Sequence, residues 1–466
     1  MKNLFLSLSV LLLLASCNTQ QKPNVILIYT DDQGTLDANC YGAKDLYTPN
    51  IDQLAENGIL FTQAYAQTVC CPSRSALLTG RHPQRSGINE WTQNDAHAKK
   101  KGVNMPLSEI TIAEILKENG YVTGLFGKWH LGGAVENGPL EQGFDEFFGF
   151  RGGFIDNYTH FFLHGMGFHD LWDNKEEIFE RDKYFPALMT EKAIEFIEKH
   201  HENPFFLYAA FNLPHYPEQA DSMFLHNYDD LEEPRKSYAQ VVTAVDGRIG
   251  QLIDKLKELD IYDNTFLLFM SDNGHSTEET MIRFDNHNSG IPKGTNYCAN
   301  GGGGYTGKWR GAKGSFLEGG VRVPAIISYP KLIKGGQKRD QIISGMDLLP
   351  TICEITGSEL PDCKLDGFSI LPILESDDAS SQHEILYFQW TDRWAVREGR
   401  WKLMVNGHDN TGKFSNHPEK TNIMESPYLA DLEDENPEEI NYASKHPEIV
   451  ERLMRLHEEW AKDVFN

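Results

Sequence analysis

The sequence predicts an α/β protein built on an open sheet of buried strands, followed by a small carboxyl-terminal subdomain of antiparallel strands plus a helix. Three observations carry this. Short apolar runs recur at residues 24–29, 59–66, 121–126, 205–211 and 265–270, with helical patterns between them. Four of these runs lead directly into polar residues, where open α/β sheets place their sites. After about Leu374 the pattern changes to short strand-like runs with tight turns and one terminal helix.

The whole chain sets bounds. Its 466 residues can bury a large core and suggest two domains. A net charge of -25 argues against nucleic acid as a partner and against electrostatic docking on anionic lipid. An anionic substrate would have to be attracted by a local cluster of cations. At the amino end, Lys2 and the apolar run Leu4 to Ala15 form an export leader. It ends Leu14-Ala15-Ser16-Cys17, which resembles a bacterial lipobox, so residues 1–17 are expected to be a lipoprotein signal and 18–22 a tether. Lipidated Cys17 would hold the protein at a membrane, in the periplasm or cell envelope, on the outer membrane in this reading. The seven cysteines are scattered and odd in number, so they form no disulfide framework, and Cys353 with Cys363 is the closest remaining pair. No Cys-x-x-Cys spacing suggests zinc.

In chain order, Asn24 to Tyr29 reads as a strand buried on both faces and delivers Asp31 and Asp32, hard oxygen donors suited to Ca²⁺ or Mg²⁺. Pro49 to Asn57 reads as a helix closed by Gly58, and Ile59 to Ala66 as a strand. The stretch Thr68 to Gly80 follows, with Pro72 suited to a first helical position and Gly80 to the helix end. Cys70 then lies at the positive end of a helix dipole, with Arg74 facing the same way. A buried structural cysteine is the plain alternative. Thr111 to Glu114 is a capping box, opening a helix with Ile112, Ile115 and Leu116 on one face.

Tyr121 to Phe126 reads as a strand that delivers Lys128 and His130. Residues 133–180 read as loops near a pocket mouth. Ala187 to Lys199 is an amphipathic helix with Leu188, Ile194 and Ile197 inward. Phe205 to Phe211 is a strand leading to His215, which stands between two prolines. Ser237 to Leu259 is a long helix, and Thr265 to Met270 a strand ending in Asp272 and Asn273. His287 to Lys308 is a Gly-rich insertion, expected to be a mobile loop; it lacks the Gly-Lys-Ser/Thr of a phosphate loop. A helix starting at Met346 closes a large domain of residues 23–374. Residues 375–466 hold a polar link, four strands (Ile385 to Trp390, Trp394 to Glu398, Trp401 to Val405, Tyr428 to Leu432) and a helix from Pro447 to Asp463.

The pattern Cys70-x-Pro72-Ser73-Arg74-x-x-x-Leu78-Thr79-Gly80 resembles the signature of the type I sulfatases. Gly127-Lys128-Trp129-His130 resembles their second signature, and Gly311-Ala312-Lys313-Gly314-Ser315 with Glu318 to Pro324 their third. The resemblance implies an alkaline-phosphatase-like fold, a mixed and largely parallel sheet between helices. It implies that a maturation enzyme oxidises Cys70 to formylglycine, whose hydrate attacks sulfur covalently and then collapses to release sulfate. Asp31, Asp32, Asp272, Asn273 and the modified Cys70 would hold one divalent cation, Ca²⁺ by preference. Arg74, Lys128 and Lys313 would stabilise charge, His215 would protonate the departing alcohol, and His130 would take the proton in the second step. The expected substrate is a sulfated polysaccharide or glycosaminoglycan fragment, with Trp91, Asp156, His164 and the Gly301 loop as candidates for the sugar site. Two other readings stay open: a phosphatase or phosphodiesterase of the same fold, and a lipoprotein that binds sulfated glycan without cleaving it.

Overall fold

The computed structural model describes residues 21–92, 95–97, 102–411 and 422–465. The leader with Cys17 lies outside the described residues. Among those described, no helix is long and apolar enough to cross a membrane.

The strand Asn24–Asp31 (β1) runs through the middle of the main sheet, buried at every position. Its partners in chain order are Ile59–Tyr65 (β2), Val122–Lys128 (β3), Glu146–Phe150 (β4), Phe205–Pro214 (β5), Thr265–Ser271 (β6) and Arg322–Ser328 (β7). The order across the sheet is β2-β7-β6-β1-β5-β3-β4, with short strands added at both edges. From β6 to β4 every pairing is parallel, whereas β7 is antiparallel to both β6 and β2. The sheet is therefore mixed and largely parallel, as expected.

Side chains alternate between two cores. Val25, Leu27 and Tyr29 of β1 face one, together with Leu77 and Leu78 of the helix Cys70–Thr79 (α2) and Ile112 of Ile112–Glu118 (α3). Ile26 and Ile28 face the other, covered by Pro49–Glu56 (α1), Phe185–His200 (α4) and Arg235–Glu258 (α5). Two covered faces explain why these strands read as unbroken apolar runs. The capping box at Thr111 is formed, with Thr111 and Glu114 each bonding the other's backbone N–H.

Some expectations need correction. Helix α2 starts at Cys70 with Val69 as its N-cap, so Pro72 is the third helical residue and Cys70 is inside the first turn. Residues 133–180 are not all loop, because β4 pairs with β3 and extends the sheet. Its sequence Glu-Phe-Phe-Gly-Phe is short and lacks β-branched residues, which hid it. In α4, Met189, Ala193, Phe196 and Ile197 are buried, while Leu188 and Ile194 are only partly covered. Cys353 and Cys363 are both free thiols, as are the other described cysteines. The Gly-rich insertion is packed: Gly303 carbonyl accepts from Arg235 at 2.6 Å, and Tyr305 N–H donates to Asp37 at 2.8 Å.

The small sheet comprises Ile385–Trp390 (β8), Arg393–Glu398 (β9), Trp401–Val405 (β10) and Tyr428–Asp431 (β11), all antiparallel, with Leu348–Thr356 (α6) preceding it and Pro447–Val464 (α7) against it. A buried charge network joins it to the large sheet. Lys402 Nζ of β10 donates to Glu318 at 2.8 Å and to Glu438 at 3.1 Å, and Glu438 accepts from the Glu318 N–H at 3.0 Å. Burial pushes the Glu318 carboxyl up, but Lys402, Arg397 and Arg322 outweigh it and hold it far below its ordinary value. Burial pushes Glu438 up to about 7, with Lys402 opposing and Glu318 adding repulsion. Because the folded state holds that proton more tightly than the unfolded chain, stability falls as pH rises from about 4.5 to about 7. Glu438→Gln, which removes this titration, should therefore gain on the parent by about 1–3 kcal/mol between pH 5 and pH 8 in denaturant melts. A constant gap would show that Glu438 does not titrate in this range.

Candidate active site

The parallel register brings the polar strand ends together. Thr30 of β1 pairs with Ser271 of β6, so Asp31 and Asp272 emerge at one level, and the Asp272 N–H donates to Thr30 carbonyl at 3.0 Å. On the other side of β1, His215 N–H donates to Asp31 carbonyl at 2.8 Å. Lys128 ends β3, and the N-terminal turn of α2 lays Cys70 and Arg74 over the same spot. Two glycines permit close approach here. Gly127 has φ +120°, and a Cβ on it would lie 1.9 Å from Ala210 carbonyl oxygen; one on Gly274 would lie 1.8 Å from that of Gly319.

The resulting cluster is buried. Cys70 Sγ lies 3.4 Å from Asp31 Oδ1, and Lys128 Nζ donates to Asp31 Oδ2 at 2.6 Å. Arg74 Nη2 donates to Asp272 Oδ2 at 2.8 Å and lies 3.9 Å from Asp31. Its other nitrogen reaches Lys128 carbonyl and Tyr208 hydroxyl, and its guanidinium lies over the Tyr29 ring. Lys313 Nζ donates to Asp32 Oδ2 at 2.8 Å, and Asn273 Nδ2 donates to Asp32 Oδ1 at 2.6 Å. His215 Nδ1 faces the Tyr216 carbonyl at 2.6 Å, so it must carry the proton, leaving Nε2 3.7 Å from Asp32. His130 has φ +56° and neither ring nitrogen has a hydrogen-bond partner among the described residues.

The structure thus gathers all of Asp31, Asp32, Cys70, Arg74, Lys128, His130, His215, Asp272, Asn273 and Lys313 into one cluster of buried groups. The more peripheral candidates diverge. His164 lines a pocket beside Tyr216. Asp156 caps its own turn, accepting from Thr159 N–H at 2.7 Å, and Trp91 meets Trp390 edge to face at 5.0 Å. The Gly301 segment packs on the Arg235 side. Tyr29, Tyr208 and Thr92 were not expected. Thr92 bonds both Cys71 Sγ and His130 carbonyl, holding that strained turn. The two tyrosines lie inside apolar strands and look like ordinary core; only their neighbours across the sheet give them a polar role.

Crowding sets the electrostatics. Burial and the opposing Asp31 and Asp272 charges, against Lys313, push the Asp32 carboxyl up to about 7. Asp272 is raised by burial and by Asp31. Burial also pushes Asp31 up, but Lys128, Arg74 and Lys313 outweigh it and hold it below its ordinary value. Burial and Asp272 hold the Cys70 thiol far above its usual range, so the unmodified thiol is a poor nucleophile. Burial with Lys128 and Arg74 keeps His130 neutral, and burial with Lys313 and Lys128 does the same for His215.

The donor set fits a divalent cation. Ligand atoms of Asp31, Asp32, Cys70 and Asp272 all lie within 4.8 Å of one another, and Asn273 Oδ1 is buried without a partner among the described residues. A hard cation suits carboxylate and amide oxygens and would relieve the crowding that raises Asp32 and Asp272.

The family model for sulfatases matches residues 23–358, and a model described as N-sulphoglucosamine sulphohydrolase, C-terminal, matches 312–463. The chain is 31% identical to human arylsulfatase A over 484 residues, covering 96% of this chain and 89% of the relative. It is 33% identical to N-acetylgalactosamine-6-sulfatase of Mus musculus, covering 86% and 75%. The crystal structure of Ps i-CgsB in complex with k-i-k-neocarrahexaose superposes with a TM-score of 0.77 at 29% identity, covering 94% and 93%.

Calcium titrated calorimetrically into the purified protein is expected to bind, and Asn273→Ala to weaken that binding about tenfold or more. Unchanged affinity would remove Asn273 from the ligand set.

Proposed function

The chain belongs to the sulfatase family, and on that premise we propose that it removes sulfate from a sulfated carbohydrate, with residue 70 as the nucleophile. One observation carries the reading: residue 70 is sealed at the strand ends between Asp31 and the cations Arg74, Lys128 and Lys313. Formal charge supports it. Three carboxylates face three cations, so a bound divalent cation leaves the site positive within a protein of net charge -25. That local field suits a sulfate ester anion. The sugar class is supported by two similar proteins, one named N-acetylgalactosamine-6-sulfatase and one whose crystal structure is a complex with k-i-k-neocarrahexaose.

Asp31, Asp32, Asp272 and Asn273 would hold the cation, Ca²⁺ in this reading, which supplies charge neutralisation for an anionic sulfate oxygen. Formylglycine at position 70, made by a maturation enzyme, supplies a nucleophile that is regenerated after sulfate transfer, which a thiol or serine is not. Lys128 and Lys313 reach in from two different segments and donate to sulfate oxygens as charge develops. Arg74 is fixed by Asp272 and Tyr208 and orients the nucleophile. His215 presents Nε2 to the site; the arriving sulfate anion offsets the lysine charges, so His215 gains a proton and delivers it to the leaving alcohol. His130, neutral and without a ring partner among the described residues, takes the proton in the second step. The leader ending at Cys17 supports export with a lipid tether to the cell envelope.

Mass spectrometry of the peptide carrying residue 70, from a host with the maturation enzyme, is expected to show the thiol replaced by an aldehyde. The matured enzyme should release sulfate rather than phosphate from ester panels, and Cys70→Ala should bind but not turn over. An intact thiol in protein that still releases sulfate would overturn the nucleophile assignment. His215→Ala should lose about 10²–10⁴-fold in kcat on sugar sulfates and much less on aryl sulfates with acidic phenols. Equal losses on both would remove His215 as the acid.

A further inference from the structure

A cavity of about 440 Å³ opens beside the cluster, lined among others by His164, Tyr216, Glu278, Glu279, Arg283 and Phe284. It adjoins the site through its wall. Tyr216 follows His215, with ring centroids 4.2 Å apart, and Phe154 lies within 5.4 Å of both the His215 and His164 rings. Glu278 is near enough to Lys313 and to the Tyr216 hydroxyl to raise the proton affinity of both. A group leaving residue 70 past His215 would next meet Tyr216, which lines this cavity. Its volume lies within the range of small-molecule sites.

Its charge is the informative feature. The wall carries two carboxylates, half-buried Glu278 and exposed Glu279, against one guanidinium, the exposed Arg283. Burial holds His164 toward its neutral form, with Glu278 opposing and Arg283 and Lys313 assisting. Apart from Arg283, the cations that suit sulfate are Arg74, Lys128 and Lys313 of the catalytic cluster. Phe284, 46% exposed, offers a flat ring at the rim, and carboxylates accept paired hydrogen bonds from vicinal hydroxyls.

Resting on the sulfatase reading above, we propose that this cavity takes the leaving sugar and selects a ring that carries one sulfate and is otherwise uncharged, with Glu278 accepting from its free hydroxyls and rejecting a second anionic group. A sulfate or carboxylate elsewhere on the ring would face two carboxylates against the single Arg283 guanidinium, and such like-charge contacts are costly.

The test is sulfate release by the matured enzyme from hexose and N-acetylhexosamine 6-monosulfates, from the matching disulfates, and from an aryl sulfate. The monosulfates should be favoured in kcat/KM by about tenfold or more, and Glu278→Gln should shrink that ratio about tenfold. The ratio does not depend on how much variant folds. In parallel, the Cys70→Ala protein should bind a monosulfate more tightly than its disulfate by calorimetry. Equal or reversed preference, or a ratio unmoved by Glu278→Gln, overturns the proposal and leaves the sulfatase reading intact. Cleavage of the aryl sulfate with none of the sugars overturns the proposal together with the carbohydrate part of the reading, and leaves sulfate-ester hydrolysis intact. Release from no ester at all sinks both.

Discussion

Three carboxylates are buried where parallel strands end, and the rest of the site exists to make that tolerable. Asp31 and Asp272 are forced to one level by the β1–β6 register, and Asp32 follows one residue later. Buried like charges at this range cannot all ionise without nearby cations. Arg74 answers Asp272, Lys128 answers Asp31, and Lys313 answers Asp32, each from a different segment. Those segments carry the three sequence signatures, so their separation along the chain and their convergence in space have one electrostatic cause.

The cations are themselves held in place. Arg74 is gripped by the Tyr208 hydroxyl, the Lys128 carbonyl and the Tyr29 ring, which leaves its guanidinium little freedom. Lys313 lies on the loop before Glu318, and the small subdomain secures that loop. Asn410 bonds both the Ala312 N–H and the Lys313 carbonyl, Thr411 accepts from the Gly311 N–H, and Glu438 caps Glu318. Arg310 adds a bond to Asp409. The carboxyl-terminal subdomain thus helps to position Lys313, the lysine proposed to bind sulfate, through a junction with the large domain that is ionic and buried.

The two histidines divide by what touches them. His215 has a fixed tautomer because a carbonyl holds Nδ1, so one nitrogen is committed to the site. His130 has no such partner among the described residues, and its backbone is held in the left-handed region by Thr92 and the Cys71 thiol behind it. One imidazole is oriented by its ring and the other by its backbone. That difference matches a shuttle of protons from two sides of one residue.

Much of this was legible in the sequence. Strands β1, β3, β5 and β6 are apolar runs buried on both faces, so burial itself writes them, and each leads into residues of the buried polar cluster. The string around Cys70 and the segments bearing Lys128 and Lys313 name their own roles by resemblance. Other features required the tertiary structure. Strand β4 has no periodic signature because it is only five residues long and its pairing with β3 supplies its stability. Tyr29 and Tyr208 read as core because their polar role depends on Arg74, far away in sequence. The Cys353–Cys363 pairing failed because spacing along a chain does not fix where side chains point. Glu278 and Arg283 carry no motif, and only the folding of their loop against Tyr216 makes them a wall. Local sequence encodes what a segment buries and what chemistry it bears; which charges end up facing each other is decided by register and packing.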